Sequence, residues 1–189
     1  MDMKVIIQSL YYISVQLDKS IDKLTALKLI FFADRYHARK YARFITDDTY
    51  YAMEYGPVAS NVKNFLSFDF SSLAEQEYSE RFIRQENGLS YIAQENISEE
   101  SLDMLSETDK EALDFSINSF GHKDSFQLVE ETHKYPEWKR FENTLSDTLK
   151  REKILITDFF EDSNIQDDPY DIIPQEKVLL SKDFYLQGM

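Results

Sequence analysis

Hydrophobic side chains near the start of the chain recur at alternating steps of four and three residues. Ile6, Leu10, Ile13 and Leu17 follow this spacing, which stacks side chains on one face of a helix. The pattern predicts an amphipathic helix over residues 3–17, with its polar positions turned away from the core.

A second stretch is apolar on nearly every side. It runs from about Asp22, whose short acceptor side chain suits a helix N-cap, to about Tyr41. A helix that is apolar all round must be covered on several sides. We therefore predict that this helix forms the centre of the core, and that the polar residues of its second half, from Asp34 to Lys40, mark where it emerges.

Two β elements are predicted next. Residues 49–55 are rich in residue types that fit an extended backbone, and Gly56-Pro57 follows them. Because proline suits the first turn of a helix, we predict that the extended segment ends there and that a third helix begins. Apolar and polar positions then alternate over residues 78–95 around Asn87-Gly88, which is typical of a β-hairpin.

Helical patterns return in the C-terminal half. They predict helices in four places, which are after Ser98, after Ser106 or Thr108 to a stop at Gly121, over residues 126–132 and over residues 138–149. Together these elements predict a mainly α fold (α+β), which is a compact helical domain around a buried central helix with a small β element. We divide the chain into a helical domain, residues 1–157, and an acidic C-terminal tail, residues 158–189, which is partly ordered or docked on a partner.

The charge is acidic and unevenly spread. The chain has 35 Asp or Glu against 21 Lys or Arg, a net charge of −14. Residues 1–66 are close to balance, whereas residues 67–189 hold twelve basic and twenty-eight acidic residues. This field disfavours nucleic acid and suits a basic protein partner, and the alternative is that the acidic surface serves only to keep the protein in solution. No stretch is apolar and long enough for a membrane span and no secretory signal opens the chain, so we expect a cytoplasmic protein with no membrane partner.

Few catalytic patterns are present. The four glycines are scattered, so no glycine-rich phosphate loop exists, and Gly-x-Ser-x-Gly is absent. The chain has no cysteine, and no two of its three histidines have the helical spacing of a metal site. We expect no cofactor, no metal and no catalysis. The alternative is a small enzyme that uses Asp34, His37 and Glu54, since Asp34 and His37 lie three residues apart on one helix.

Aromatic residues are abundant, with 14 Phe, 12 Tyr and one Trp. Most are expected in the core, but aromatic side chains also supply large contact areas at protein interfaces. We expect Tyr50, Tyr51, Tyr55 and Trp138 to be exposed and name them as candidate partner-binding residues.

The residues also resemble a known family. The run from Lys28 to Asp34, then His37, Ala52 and Tyr55-Gly56-Pro57-Val58, is similar to the motif "KLLYFAD…H…A…YGPV" of the Panacea antitoxin domain, also called SocA-like. A downstream segment with Thr132-His133 and Trp138 resembles its "L…TH…W" element, so the likeness spans about residues 5–145. The carried-over family motif residues are Lys28, Asp34, His37, Tyr55, Gly56, Pro57 and Val58. Ala42 and Phe44 stand where members usually have Gly and Pro.

The resemblance implies an antitoxin of a toxin-antitoxin system in a bacterium, phage or prophage, where such systems serve phage defence. It would neutralise a cognate protein toxin, encoded nearby, by direct binding. The alternatives left open are an adaptor that delivers the toxin to a protease, the enzyme described above, and a DNA-binding autorepressor, which the charge disfavours. Whether the protein forms a homo-oligomer is also open.

Overall fold

The structure is a computed structural model that describes residues 2–68, 70, 72–146 and 148–188. These residues form eight α-helices, six short strands and three 3₁₀ turns. The helices are α1 (Met3–Leu17), α2 (Lys23–Tyr41), α3 (Ser60–Phe65), α4 (Leu73–Phe82), α5 (Glu107–Phe120), α6 (Ser125–Thr132), α7 (Pro136–Lys139) and α8 (Gln175–Gln187). The strands are β1 (Ile21–Asp22), β2 (Tyr50–Met53), β3 (Gly56–Ala59), β4 (Ile83–Glu86), β5 (Ser90–Ala93) and β6 (Arg151–Lys153). The predicted mainly α (α+β) class is confirmed.

The central helix is α2, as predicted. The Asp22 carboxylate caps it by accepting the backbone N–H groups of Leu24 and Thr25, at 3.0 and 2.9 Å. Every residue from Thr25 to Arg39 is buried, and α1, α5, α6 and α8 pack against this helix. The prediction that α2 emerges from the core after Asp34 is therefore wrong, because its polar side chains are covered by later parts of the chain.

One three-stranded antiparallel sheet holds the segment around Gly56. Its strand order is β3-β2-β6, with Ala52 opposite Pro57 and also opposite Glu152. The prediction that a helix begins at Gly56-Pro57 is wrong in its position, since both residues lie in β3 and the predicted third helix, α3, begins at Ser60. Proline is tolerated in β3 because β3 is an edge strand and has no second neighbour to which an N–H must be donated.

The second sheet has the order β1-β5-β4 and contains the predicted hairpin. Asn87 and Gly88 form its turn, with φ angles of 52° and 72°. The hairpin is shorter than expected, because residues 78–82 are the last turn and a half of α4. Packing of Phe82 against the ring of Tyr11 holds this end of the helix on α1.

Two of the four helices predicted in the C-terminal half are present, as α5 and α6. Ser106 caps α5 and forms a capping box with Asp109, and Gly121 follows its last residue. The helix predicted after Ser98 is only a 3₁₀ turn. The helix predicted over residues 138–149 is wrong, because α7 ends at Lys139 and turns follow it; Asp147 lies outside the described residues. These turns reverse the chain and bring β6 beside β2.

Residues 158–188 pack on the central helix. Phe159 is buried, and its ring centroid lies 5.7 Å from that of Phe31 in α2. The Tyr170 hydroxyl donates to the Phe32 carbonyl at 2.8 Å. On α8, Val178 and Ser181 are buried and the ring of Tyr185 contacts that of Phe44. Within the part of the chain described, we find no helix that is both long and apolar enough to cross a membrane.

Candidate partner-binding site

A buried lysine links α2 to the β2–β3 turn. Lys28 is fully buried, and its Nζ donates to the Pro57 carbonyl at 3.0 Å. Burial penalises the ammonium form and lowers the pKa of Lys28 to about 7. Pro57 has no N–H, so this carbonyl bond is a main anchor of the turn to the helix.

Gly56 is where the two separated motif elements meet. Its φ of +93° is a conformation that residues with a Cβ rarely adopt. A methyl group built on Gly56 would lie 2.5 Å from Thr132 Oγ1 and 2.7 Å from Lys28 Nζ. Glycine suits this position for two reasons. It adopts the backbone angle, and it leaves room for the side chains of Lys28 in α2 and Thr132 in α6, which lie close to it. Thr132 is buried and donates to the Val129 carbonyl at 2.8 Å.

His133 and Trp138 form the next layer of this cluster. Their rings are stacked, with centroids 3.5 Å apart and an interplanar angle of 9°. The indole N–H of Trp138 donates to the Met53 carbonyl at 2.7 Å, which fixes α7 to β2. Burial first, and then the charge of Lys28, lower the pKa of His133 to about 4. His133 is therefore neutral at pH 7 and does not repel Lys28.

Asp34 ties the segment after α2 back to the helix. Its carboxylate accepts the N–H groups of Ile45 and Thr46, at 2.6 and 3.1 Å, and the hydroxyls of Thr46 and Tyr50. Burial raises the pKa of Asp34 to about 6, against these hydrogen bonds, which lower it. These partners are all groups of the protein itself, so Asp34 holds this segment on α2.

His37 links the start of the segment after α2 to α5. Its Nδ1 donates to the Arg43 carbonyl at 2.7 Å, and its Nε2 lies 3.0 Å from the Thr108 hydroxyl. Burial lowers its pKa. Asp34 and His37 thus bond different groups, and Glu54 is exposed in the β2–β3 turn. The structure does not join the three in a hydrogen-bonded set, and in the residues it describes no group of His, Asp or Glu is arranged to hold a metal ion.

Two arginines of α2, which the sequence analysis did not single out, hold the C-terminal segment. Arg35 is fully buried, pairs with Glu137, and donates to the carbonyls of Phe159 and Glu161 at 3.1 and 2.8 Å. Arg39 donates to the Glu161 carbonyl and to Asp162, at 3.0 and 2.7 Å. The sequence signal for this role was weak, since the two arginines are only two of several polar residues in the second half of α2.

A cavity of about 720 Å³ opens beside the β2–β3 turn. Its rim has mixed charge from lysines and glutamates, including Lys23, Lys63 and Glu54. Tyr55, in the β2–β3 turn, is 52% exposed and is one of the residues that line the cavity. The apolar lining residues are Leu24, Leu27, Met53, Val58, Trp138, Leu145 and Leu149.

Comparison with known proteins identifies the family. A family model described as antitoxin SocA-like, Panacea domain, matches residues 27–139, which is more than half of the chain. The chain belongs to this family. No curated protein and no solved structure matches it. The Panacea match begins one residue before Lys28 and ends one residue after Trp138, so the buried cluster around Gly56 spans the whole matched region.

The four candidate contact residues occupy different environments in this Panacea domain. Tyr50 is buried and Trp138 nearly so, and the expectation that both are exposed is wrong, because Tyr50 bonds Asp34 and Trp138 stacks on His133. Tyr51 is half-buried, with the guanidinium of Arg151 5.1 Å from its ring centroid. Tyr55 is exposed. Trp138 still lines the cavity, so it and Tyr55 border the same opening.

Proposed function

We propose that this protein is the antitoxin of a toxin-antitoxin pair and neutralises a protein toxin by direct binding. Membership of the antitoxin-like Panacea family supports a toxin-antitoxin role. Direct binding, and the face that performs it, are our additions. We assign the contact to the surface formed by Tyr55 and the cavity beside it.

The observation that carries the proposal is a turn that is anchored at its base and has an exposed aromatic residue at its tip. Lys28 and the close packing at Gly56 hold the base of the turn, while Tyr55 projects beside an apolar cavity. Large aromatic side chains next to apolar pockets often dominate protein interfaces, and a fixed backbone reduces the entropy lost on binding. The cavity would receive an apolar side chain of the toxin.

Co-expression tests the function. The product of the gene adjacent to this one is expressed alone and with this protein, and growth is measured. Toxicity alone, with rescue by this protein, is the expected result. Toxin level is followed in the same cultures, because neutralisation by binding leaves the toxin present, whereas a protease adaptor would remove it. A neighbour that is harmless, or that stays toxic in the presence of this protein, would refute the proposal.

A matched pair of variants tests the face. Tyr55→Ala should weaken toxin binding by roughly tenfold or more, as expected for a central aromatic contact, when binding is measured by calorimetry. Phe126→Ala is the control, because Phe126 is also an exposed aromatic residue but lies on α6. Equal affinity of Tyr55→Ala and wild type would show that the toxin binds elsewhere.

A further inference from the structure

The last helix has an apolar strip on its outer side. Leu179, Leu180, Phe184 and Leu186 are exposed, with Leu180 at 62% and Phe184 at 70%. Leu180 and Phe184 are one helical turn apart, and the strip extends over about 10 Å of α8. We call these four residues the outer strip. Soluble proteins rarely leave several large apolar side chains together in water unless they meet a partner.

The outer strip is not the face of α8 that packs on the core. The opposite side of α8 is already packed on the core through Val178 and Ser181, and the ring of Tyr185 contacts Phe44 and Phe160. Lys182 also pairs with Glu161 at 2.7 Å, and this ion pair links α8 to the segment that follows Phe160. The helix is therefore held in place with the outer strip pointing away from the fold.

The surroundings of the outer strip are acidic. Residues 158–188 contain eight acidic residues and two lysines. Of the two lysines, Lys182 pairs with Glu161 and Lys177 is exposed on α8, whereas three acidic residues, Asp171, Glu176 and Asp183, are exposed and form no salt bridge within the described residues. Asp183 lies inside the outer strip, and Glu176 lies one turn before Leu180. A surface on which acidic side chains lie among exposed apolar ones is complementary to an amphipathic helix that carries both basic and apolar side chains.

We propose that the outer strip of α8 binds a cationic amphipathic helix of the toxin. This inference rests on the proposed function, and adds a second contact outside the region that the Panacea family model matches. The apolar side chains of the toxin helix pack on Leu180 and Phe184, and its Lys or Arg side chains face Glu176 and Asp183. Charge attraction mainly accelerates and orients the encounter, while the apolar contacts hold the complex.

The experiment uses two readouts on the full-length protein. The first is affinity for a synthetic 18-residue helix of leucine and lysine in amphipathic order, with a leucine and glutamate peptide of the same pattern as its counterpart. The second is growth rescue and affinity with the adjacent-gene product. Leu180→Ser/Phe184→Ser should lose roughly tenfold or more in affinity for the lysine peptide and for the toxin. Leu73→Ser/Leu89→Ser is the control, since both leucines are exposed elsewhere.

A second matched pair of variants tests the contribution of the acidic residues. Glu176→Gln/Asp183→Asn should slow association and reduce its salt dependence, whereas Glu77→Gln/Glu95→Gln removes two exposed acids at other sites and should not. Unchanged toxin affinity of the outer-strip variant, with wild-type rescue intact, would overturn the inference and leave the proposed function standing. Equal binding of both peptides, or a wild-type dimer that the outer-strip variant abolishes, would also overturn it. Failure of the wild type to rescue growth would instead remove the proposed function.

Discussion

Replacing the buried Lys28 should change how stability depends on pH. The pKa of Lys28 falls from its ordinary 10.5 to about 7 on folding because the ammonium loses water. Between these values the unfolded chain binds more protons than the folded one, so the free energy of unfolding rises with pH. The difference corresponds to about 5 kcal/mol of destabilisation below pH 7, lost progressively as pH rises toward 10.5.

Lys28→Met removes this titration and keeps a side chain of similar length. It also removes the hydrogen bond to the Pro57 carbonyl, which costs about 2 kcal/mol at every pH because that carbonyl is left buried without a donor. The net expectation is a variant more stable than wild type by about 2 kcal/mol at pH 7 and of nearly equal stability at pH 9. Between pH 7 and 9 the difference should shrink by about 2 kcal/mol.

Equilibrium urea unfolding at pH 6 to 9 measures this difference, with the fluorescence of Trp138 as the signal, since its stacking on His133 is lost on unfolding. The range starts at pH 6 because the charge of Lys28 also lowers the pKa of His133, which would enter at lower pH. Lys19→Met removes an exposed lysine and should show a flat difference. A difference for Lys28→Met that is equally flat over this range would refute the reasoning.

Four other variants test the framework, each by urea unfolding. Gly56→Ala should destabilise by about 2–4 kcal/mol, because φ is +93° and the methyl group meets Lys28 and Thr132; a smaller loss would mean that α2 and α6 can separate. Ala42→Gly should stabilise by about 0.5–1 kcal/mol, because Ala42 caps α2 with φ 55°, and a loss of stability would contradict this. Arg35→Met should cost about 3–5 kcal/mol by leaving Glu137 buried without its partner, and a near-neutral result would argue against the ion pair. His37→Ala should cost about 1–2 kcal/mol yet keep wild-type toxin affinity and rescue; lost rescue in a folded variant would revive the enzyme alternative.

The helices were the most predictable part of the fold. Apolar spacing and the cap at Asp22 placed α1 and α2 within a residue, because both signals are local. The polar residues of α2 could not be placed in the same way. Arg35 is buried by Glu137 and Phe159, which lie 102 and 124 residues further along the chain, so its environment depends on contacts that periodicity does not contain. The strand conformation of Pro57 could not be predicted from local pattern either, because it depends on the pairing of β3 with β2.

The candidate site was predictable in its residues but not in its geometry. The two motif elements named Lys28, Gly56 and Thr132 without relating them to one another, and only the folded chain shows that they lie close together. Tyr50 and Trp138 were expected to be exposed and are not. Aromatic residues are common both in cores and at interfaces, and the sequence alone does not show which of the two places each one occupies. The hydroxyl of Tyr50 donates to the buried carboxylate of Asp34, whereas Tyr55 lies in a turn and is 52% exposed.

The acidic charge must be tested by point substitutions, because the C-terminal segment is also part of the core. Deleting the chain from Asp158 onward would remove Phe159 from its contact with Phe31 and leave Arg35 without two carbonyl partners. Lost inhibition in such a truncation would report unfolding as readily as lost attraction. Exposed side chains such as Asp183 and Phe184 can be changed without touching these contacts. Only variants of that kind separate the charge of this segment from its packing.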